Sequence, residues 1–247
     1  MTELSTFQYE LLYNTFSFGI ATFAAASIFF WLGRAQVSSA YKTALSLTGL
    51  VTFIAFYHYW RIFESFGDAY TLTDGMVEAT GASFNDAYRY VDWLLTVPLL
   101  LIELILVMKL TKSETVSKSF NLGLAAAIMV ILGYPGEISM EAGTRWTYWV
   151  LAMIPFIYIV YQLYVGLGEA ISKQPDNVKG LVATARNVTV LSWCFYPVVF
   201  IFPMIGIEGS NAYTAIQVGY TVADIVSKAA FGVLIFMIAK GKSDAEA

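Results

Sequence analysis

The sequence predicts an all-α membrane protein that folds as a seven-transmembrane-helix bundle. Of its 247 residues, 58% are hydrophobic and only 13% are charged, whereas a soluble domain carries about 25% charged residues. Seven apolar segments each approach or exceed the roughly 20 residues needed to cross a bilayer. Residues 1–247 are therefore predicted to form a single seven-helix domain, with short tails at 1–10 and 240–247.

The seven predicted spans follow one another with short connections. They lie at about 11–33, 40–63, 87–109, 119–138, 144–168, 181–205 and 212–239. Pro98 and Pro197 fall inside spans and are expected to kink them, which membrane helices tolerate when neighbours satisfy the freed carbonyls. The long second connection contains the run Tyr-Thr-Leu-Thr-Asp-Gly. This run favours either a small external hairpin or a plain acidic loop.

The charged residues are distributed unequally between the two ends of the spans. Lysine and arginine collect in the first, third and fifth connections and in the C-terminal tail, while acidic residues dominate the opposite side. Cytoplasmic connections carry the excess of basic residues in membrane proteins. We therefore expect the N-terminus outside and the C-terminus in the cytoplasm.

The last span contains two ionisable residues one helical turn apart, Asp224 and Lys228. A charged side chain at the centre of a bilayer costs about 2.5–3.5 kcal/mol on insertion scales, so such residues are rare and usually functional. At this spacing the two side chains share a helix face. The pair indicates a desolvated lysine that condenses with an aldehyde, with a counterion on the same helix. A structural ion pair between packed helices is the alternative.

The third span carries a row of polar residues, Arg89, Asp92, Thr96 and Glu103. At about 100° per residue, Asp92 and Glu103 fall within about 20° of one face and roughly 16 Å apart along the axis. We expect Asp92, near Arg89, to be ionised, and Glu103, among leucines and isoleucines, to hold a proton. The two carboxyl groups then resemble a proton acceptor and a proton donor on either side of Lys228. Unrelated polar contacts between helices are the alternative.

Aromatic side chains form a stripe in the sixth span. The spacing of Trp193, Tyr196 and Phe200 places them on one helix face, where they could line a long polyene. Trp93, next to Asp92, would be a further wall. Taken alone, such a stripe is more often core packing.

These residues resemble those of the microbial rhodopsins. The third-span pattern of Arg89, Asp92-Trp93, Thr96, Pro98 and Glu103, the sixth-span Trp193 and Tyr196-Pro197, and the seventh-span Asp224 and Lys228 match that family in order. The resemblance implies a seven-helix bundle with all-trans retinal bound to Lys228 as a protonated Schiff base, isomerised by light to 13-cis. It also implies that Leu100, Pro197 and Phe200 belong to the retinal pocket.

The combination of Asp92, Thr96 and Glu103 is similar to that of outward proton pumps of the proteorhodopsin and xanthorhodopsin group. The resemblance implies that Asp92 is the proton acceptor, Glu103 the proton donor and Asp224 a second counterion. His58, the only histidine, is expected to pair with Asp92.

This resemblance implies a light-driven ion transporter rather than an enzyme. The protein would lie in the inner membrane of a prokaryotic cell, with lipid and protons as partners. It would assemble as a pentamer or trimer, and it would bind neither metal nor nucleic acid. Leucine at position 100 goes with green absorption in this group.

One residue departs from the resemblance. Trp149 stands where carotenoid-binding members have a glycine that opens a window onto the retinal ring. A bulky indole at this position argues against an antenna carotenoid.

Three other functions stay open at this stage. A sensory rhodopsin would share the pocket but usually lacks the carboxylic donor that Glu103 supplies. Sodium and chloride pumps carry other residues at positions 92, 96 and 103. A non-photoactive seven-helix receptor would not bind retinal at all. The group that releases the proton is not ranked among Glu137, Glu141 and Glu208.

Overall fold

The computed structural model describes residues 2–85 and 87–246, so Met1 and Ala247, at the ends of the predicted tails, lie outside the described residues, as does Asp86. The described residues contain ten α-helices that line up as seven rods. The segments are α1 Thr6–Gly33, α2 Lys42–Ala69, α3 Ala87–Met108, α4 Lys112–Ile138, α5 Ala142–Tyr161, α6 Gly168–Ser172, α7 Asp176–Trp193, α8 Phe195–Phe200, α9 Ser210–Asp224 and α10 Phe231–Ala245. The fifth rod joins α5 to α6, the sixth joins α7 to α8, and the seventh joins α9 to α10.

Five of these rods are long and apolar enough to cross a membrane by themselves, within the described part of the chain: the first, third, fourth, fifth and seventh. The second rod, α2, is as long as α1 but carries interior polar residues, and Thr48, Thr52 and His58 are all buried. The sixth rod is interrupted, so neither of its two pieces is long. The predicted seven-helix membrane bundle is confirmed.

Both ends of the chain are more helical than the sequence predicts. Ser5 caps α1 through a reciprocal bond with Gln8, so the helix begins at Thr6, inside the predicted tail. At the other end, α10 continues to Ala245. The helices therefore extend beyond the predicted spans, because a polar cap and a helix end outside the apolar segment are invisible to a hydropathy pattern.

The connection between α2 and α3 forms a hairpin. The sequence had left a hairpin and a plain acidic loop as alternatives. Strand β1, Tyr70–Thr73, pairs with the antiparallel strand β2, Met76–Ala79. The turn residues Asp74 and Gly75 have φ values of 52° and 79°. Positive φ at both turn positions matches the twist of a two-residue hairpin, and aspartate-glycine tolerates it.

The two prolines predicted to kink spans behave differently. Pro98 lies inside α3, which continues through it. The sixth rod is instead broken at Cys194, three residues before Pro197. Proline has no N–H for the carbonyl one turn earlier and its ring clashes there, so the helix is interrupted on the N-terminal side of the proline.

Candidate functional site

Lys228 lies at the centre of the bundle with no exposed surface. Its Nζ is 2.5 Å from Oδ1 of Asp224 and 2.9 Å from Oδ2 of Asp92. Arg89 is also buried, so the two buried cations are balanced by two buried carboxylates. Such balance is required because an isolated charge is very costly in an apolar interior.

The backbone around Lys228 is not an ordinary α-helix. Residues Ile225–Ala230 form a π-helical turn between α9 and α10. Wide turns of this kind are rare and are frequent at functional sites. The predicted spacing of Asp224 and Lys228 still brings their side chains together, but the hydropathy pattern gave no sign of the π turn.

Asp224 is held by donors from three other rods. Tyr59 Oη donates to Oδ2 at 2.8 Å, Tyr196 Oη to Oδ1 at 2.7 Å, and Trp93 Nε1 to Oδ1 at 3.1 Å. The Arg89 guanidinium lies 3.8 Å from Oδ2. Asp224 is therefore fixed in position by neutral donors as well as by two cations.

Asp92 is placed differently. Among the described residues, neither of its carboxylate oxygens receives a hydrogen bond of good geometry, although the Lys228 ammonium is 2.9 Å away. His58 Nδ1 is 4.0 Å from Oδ1 of Asp92 and makes its closer contact, 2.9 Å, with the Ile54 carbonyl. A carbonyl can only accept a hydrogen bond, so Nδ1 carries a proton and donates it to Ile54. At 4.0 Å, His58 is within ion-pair distance of Asp92 but makes no direct hydrogen bond to it.

Two other residues of the third-span row, Arg89 and Thr96, are also buried. Arg89 donates to Tyr59 Oη at 3.0 Å and to Gln217 Oε1 at 2.8 Å, beside Asp224. The sequence had predicted that Arg89 would lie beside Asp92. Thr96 donates to the backbone carbonyl of Asp92 at 2.8 Å, so its hydroxyl proton is directed to α3 itself rather than to the carboxylate.

Glu103 occupies a separate buried position nearer the other end of α3. Its Oε2 is 2.5 Å from Thr48 Oγ1, which is also 3.0 Å from the Ala44 carbonyl. A hydroxyl has one proton to donate. A Thr48 hydroxyl that donates to the Ala44 carbonyl, which can only accept, has its oxygen available to accept a hydrogen bond from Glu103, so the geometry fits a protonated carboxylic acid.

An apolar pocket opens from the Lys228 amine. Ligand pockets are usually lined by apolar and aromatic side chains with a few polar groups. All the pocket residues predicted from the sequence line it, together with several that were not predicted. The lining consists of Tyr90, Trp93, Val97, Leu100, Met129, Val130, Gly133, Trp149, Ala152, Met153, Phe156, Trp193, Tyr196, Pro197, Phe200, Tyr220, Asp224, Ser227 and Lys228.

This pocket fits an apolar polyene that ends in an aldehyde. Aromatic rings of Trp93, Trp193 and Tyr196 supply flat walls, and the polar groups Lys228 and Asp224 lie in its lining. A primary amine at the end of an apolar pocket is suited to condensation with a carbonyl, and Asp92 and Asp224 would balance the positive charge on the condensed nitrogen.

Trp149 forms part of the pocket wall. Its Nε1 donates to the Pro197 carbonyl at 2.9 Å, which ties α5 to α8 and satisfies a carbonyl next to the helix break. The indole therefore closes the pocket wall at the position where a glycine would open a window.

Several contacts of the site were missed by the sequence analysis. Tyr59, Thr48 and Gln217 hold Asp224, Glu103 and Arg89. Their hydroxyl and amide groups resemble ordinary interior polar residues, so only their position in the fold distinguishes them. Tyr59 alone carried a signal, because it adjoins His58 in an aromatic run.

The candidate release groups lie away from Lys228. Arg145 Nη2 is 3.8 Å from Glu137 Oε2, and Glu141 accepts a bond from Thr144. Glu208 is exposed. None of these three carboxylates lines the Lys228 pocket.

A seven-helix membrane bundle with a buried lysine between two carboxylates, opening into an apolar pocket, defines an integral membrane protein of the rhodopsin type. The chain belongs to the bacteriorhodopsin-like protein family, whose sequence model matches residues 11–241.

Individual relatives agree with this assignment. The chain is 31% identical over 234 residues to a green-light absorbing proteorhodopsin from Gamma-proteobacterium EBAC31A08, which covers 94% of this chain and 88% of the relative. Among solved structures, it is similar to xanthorhodopsin, described as a light-driven ion pump with dual chromophore, with a TM-score of 0.95 and 48% identity over 98% of this chain and 97% of the other. A thermophilic rhodopsin gives a TM-score of 0.96 and 46% identity over 100% and 99% of the two chains.

Proposed function

We propose that this protein is a light-driven outward proton pump, in which Asp92 takes a proton from the Lys228 nitrogen and Glu103 returns one. The relatives include proteorhodopsins and a light-driven ion pump, which supports a transporter rather than a classical enzyme. The observation that carries the assignment of roles is the unequal bonding of Asp92 and Asp224 around one buried nitrogen.

The family and the pocket support retinal as the chromophore. Bound covalently at Lys228 Nζ, all-trans retinal would supply light absorption and the isomerisation that starts proton release from that nitrogen. The side chains of Trp93, Leu100, Trp193, Tyr196, Pro197 and Phe200, which line the pocket, would enclose it.

Asp92 is the proton acceptor because it is close to Lys228 and, among the described residues, accepts no hydrogen bond from a neutral donor. Its Oδ2 is 2.9 Å from Nζ, within reach of direct proton transfer. Asp224 already accepts three hydrogen bonds from neutral side chains, so it remains the counterion. His58, 4.0 Å from Asp92, is placed to respond to the charge on that carboxylate.

Glu103 is the proton donor because it is buried on the same helix, roughly 16 Å farther along the axis. Thr48 holds its carboxyl group. After Asp92 has taken the proton, Glu103 gives its own proton to Lys228 Nζ and is refilled from the cytoplasm. Net transport is therefore outward.

The arrangement in the membrane follows from the distribution of charged residues. We place the N-terminus outside and the C-terminus in the cytoplasm, with residues 1–247 as one domain in the membrane of a prokaryotic cell. A homo-oligomer, a pentamer or a trimer, completes the proposal. An antenna carotenoid is not part of it, because the Trp149 indole fills the wall of the pocket.

Light-driven acidification tests this function directly. Cells that express the protein with retinal supplied should turn coloured and acidify their medium under illumination, and a protonophore should abolish the signal. Asp92→Asn should remove the acidification, whereas Asp68→Asn, at an exposed carboxylate, should leave it unchanged. Colourless protein, or full pumping by Asp92→Asn, would refute the proposal.

A further inference from the structure

Glu103 is sealed inside the bundle. It has no exposed surface, and its nearest helix end is that of α3 at Met108, about 7.5 Å farther along the axis. A proton that refills Glu103 from this end must therefore pass the last turn of α3.

The last turn of α3 is bonded to two other parts of the chain. The final four carbonyls of a helix have no partner within it. Here Lys242 Nζ, from α10, donates to the Val107 carbonyl at 2.7 Å, and Gln174 Nε2, between α6 and α7, donates to the Met108 carbonyl at 3.1 Å. The end of α3 is thus held to the seventh rod and to the connection before the sixth.

Lys242 is an unusual choice for this bond. The side chain is buried, with 5% of its surface exposed, and its hydrogen-bonded partner is a neutral carbonyl. A buried ammonium is costly, and a neutral amide donor would cap a carbonyl at lower cost, as Gln174 does. The hydrogen bond to the Val107 carbonyl does not require a charged donor, so the buried ammonium of Lys242 indicates a functional role.

Three residues surround Lys242 and form with it what we call the cap cluster: Tyr41, Lys109, Lys242 and Glu246. Tyr41 Oη and Lys109 Nζ both donate to Glu246 Oε1, at 2.7 and 2.8 Å. Lys109 Nζ and Lys242 Nζ each lie 5.8 Å from the centre of the Tyr41 ring. The hydrogen bonds from Lys109 and Tyr41 lower the pKa of Glu246, so the cluster carries two cations and one anion at neutral pH.

We propose that the cap cluster is a gate over the proton path to Glu103, held shut by the Lys242 bond to Val107. This inference rests on the proposed role of Glu103 as proton donor. In the resting protein Glu103 is neutral and Lys242 stays on the carbonyl.

The gate opens in response to the charge of Glu103. When Glu103 loses its proton it becomes an anion about one turn from Val107, and in an apolar interior it attracts the Lys242 ammonium strongly. Lys242 leaves the carbonyl, the end of α3 is released, and a proton from bulk water reaches the Glu103 carboxylate. Neutral Glu103 no longer attracts Lys242, so the gate closes again.

The test measures exchange of the Glu103 carboxyl proton in the dark. Infrared spectra of the full-length, retinal-loaded protein in deuterium oxide follow the protonated-carboxyl band that Glu103→Gln removes. Lys242→Met should speed this exchange by about tenfold or more, because loss of a hydrogen bond to a charged group shifts an opening equilibrium that far. Glu246→Gln keeps an acceptor oxygen for Tyr41 and Lys109 and removes only the negative charge, so it should speed the exchange by a smaller factor. Lys242→Arg should retain slow exchange.

The matched control is Lys240→Met. Lys240 lies on the same turn of α10 but pairs with the exposed Asp244, so its loss should leave the exchange rate unchanged. Glu246 is partly exposed, so Glu246→Gln tests the gate even where Lys242→Met does not fold. If the carboxyl band is visible but exchanges at the wild-type rate in Glu246→Gln or Lys242→Met, the gate is ruled out while the donor role of Glu103 stands. Absence of the band from the wild-type protein would overturn the donor assignment, and the gate with it.

Discussion

Asp92 and Asp224 both lie within 3 Å of the Lys228 nitrogen, yet only Asp224 accepts hydrogen bonds from neutral donors. Tyr59, Trp93 and Tyr196 fix Asp224 in place. Asp92 has the freedom to change its protonation without breaking such a network. This asymmetry divides the two carboxylates into a fixed counterion and an exchangeable acceptor.

The same asymmetry predicts a difference in stability. Asp224→Asn removes a charge that accepts three buried hydrogen bonds, and each hydrogen bond to a charged group contributes about 1.5–3 kcal/mol. Asp92→Asn breaks no such bond. Thermal denaturation of both variants should show the larger loss for Asp224→Asn. An equal loss in the two variants would contradict the assigned roles.

Removal of the donor carboxyl should slow one step only. Glu103→Gln should greatly delay the return of a proton to Lys228, while the colour and the transfer to Asp92 stay as in the wild type. Thr48→Val should have a smaller effect in the same direction, because Glu103 loses the hydroxyl that holds it, and Thr48→Ser should restore the rate. Flash-induced absorbance changes measure these rates. Glu114→Gln, at the exposed N-terminal cap of α4, is the control, and an unchanged photocycle in Glu103→Gln would count against the donor role.

A close approach between α1 and Tyr59 should tune the site from a distance. A Cβ added to Gly19 would lie 2.8 Å from Tyr59 Cδ1, and Tyr59 holds Asp224. Gly19→Ala should therefore displace the tyrosine, shift the absorption maximum and cost about 1–3 kcal/mol of stability from overpacking. Gly67→Ala, where an added Cβ meets nothing within 4 Å, should leave the spectrum unchanged. Identical spectra for Gly19→Ala and the wild type would show that Tyr59 does not control the position of the Asp224 carboxylate.

The wall formed by Trp149 should exclude a carotenoid. Trp149→Gly removes the indole and its bond to Pro197, which opens the pocket between α5 and α8. We expect the variant, and not the wild type, to transfer excitation energy from an added carotenoid to retinal, as measured by fluorescence excitation spectra. Trp146→Gly, in the same helix but with its side chain outside the pocket lining, is the control. Energy transfer in the wild-type protein would disprove the exclusion.

The sequence predicts much of the fold because hydropathy reports membrane spans directly. The spacing of Asp224 and Lys228 along the seventh rod follows the helical period, and the two side chains do lie together in the structure. The π turn at Ile225–Ala230 and the break at Cys194 could not be predicted, because the apolar pattern runs on through both.

Hydrogen-bond and ion-pair partners that lie on different rods could not be predicted from the sequence either. The bond from Thr48 to Glu103 and the contact of Arg89 with Asp224 join residues far apart in the chain. Proximity along α3 suggested that Arg89 would serve Asp92. The fold instead directs the long arginine side chain toward the seventh rod, where Gln217 also accepts from it.

Time-resolved infrared spectroscopy of the light-driven reaction tests the central claim most directly, because it identifies the carboxylate that receives the proton from Lys228. A protonated-carboxyl band should appear as the Lys228 nitrogen loses its proton, shift in frequency in Asp92→Glu and be absent from Asp92→Asn. A band that appears unchanged in both variants would show that another group accepts the proton.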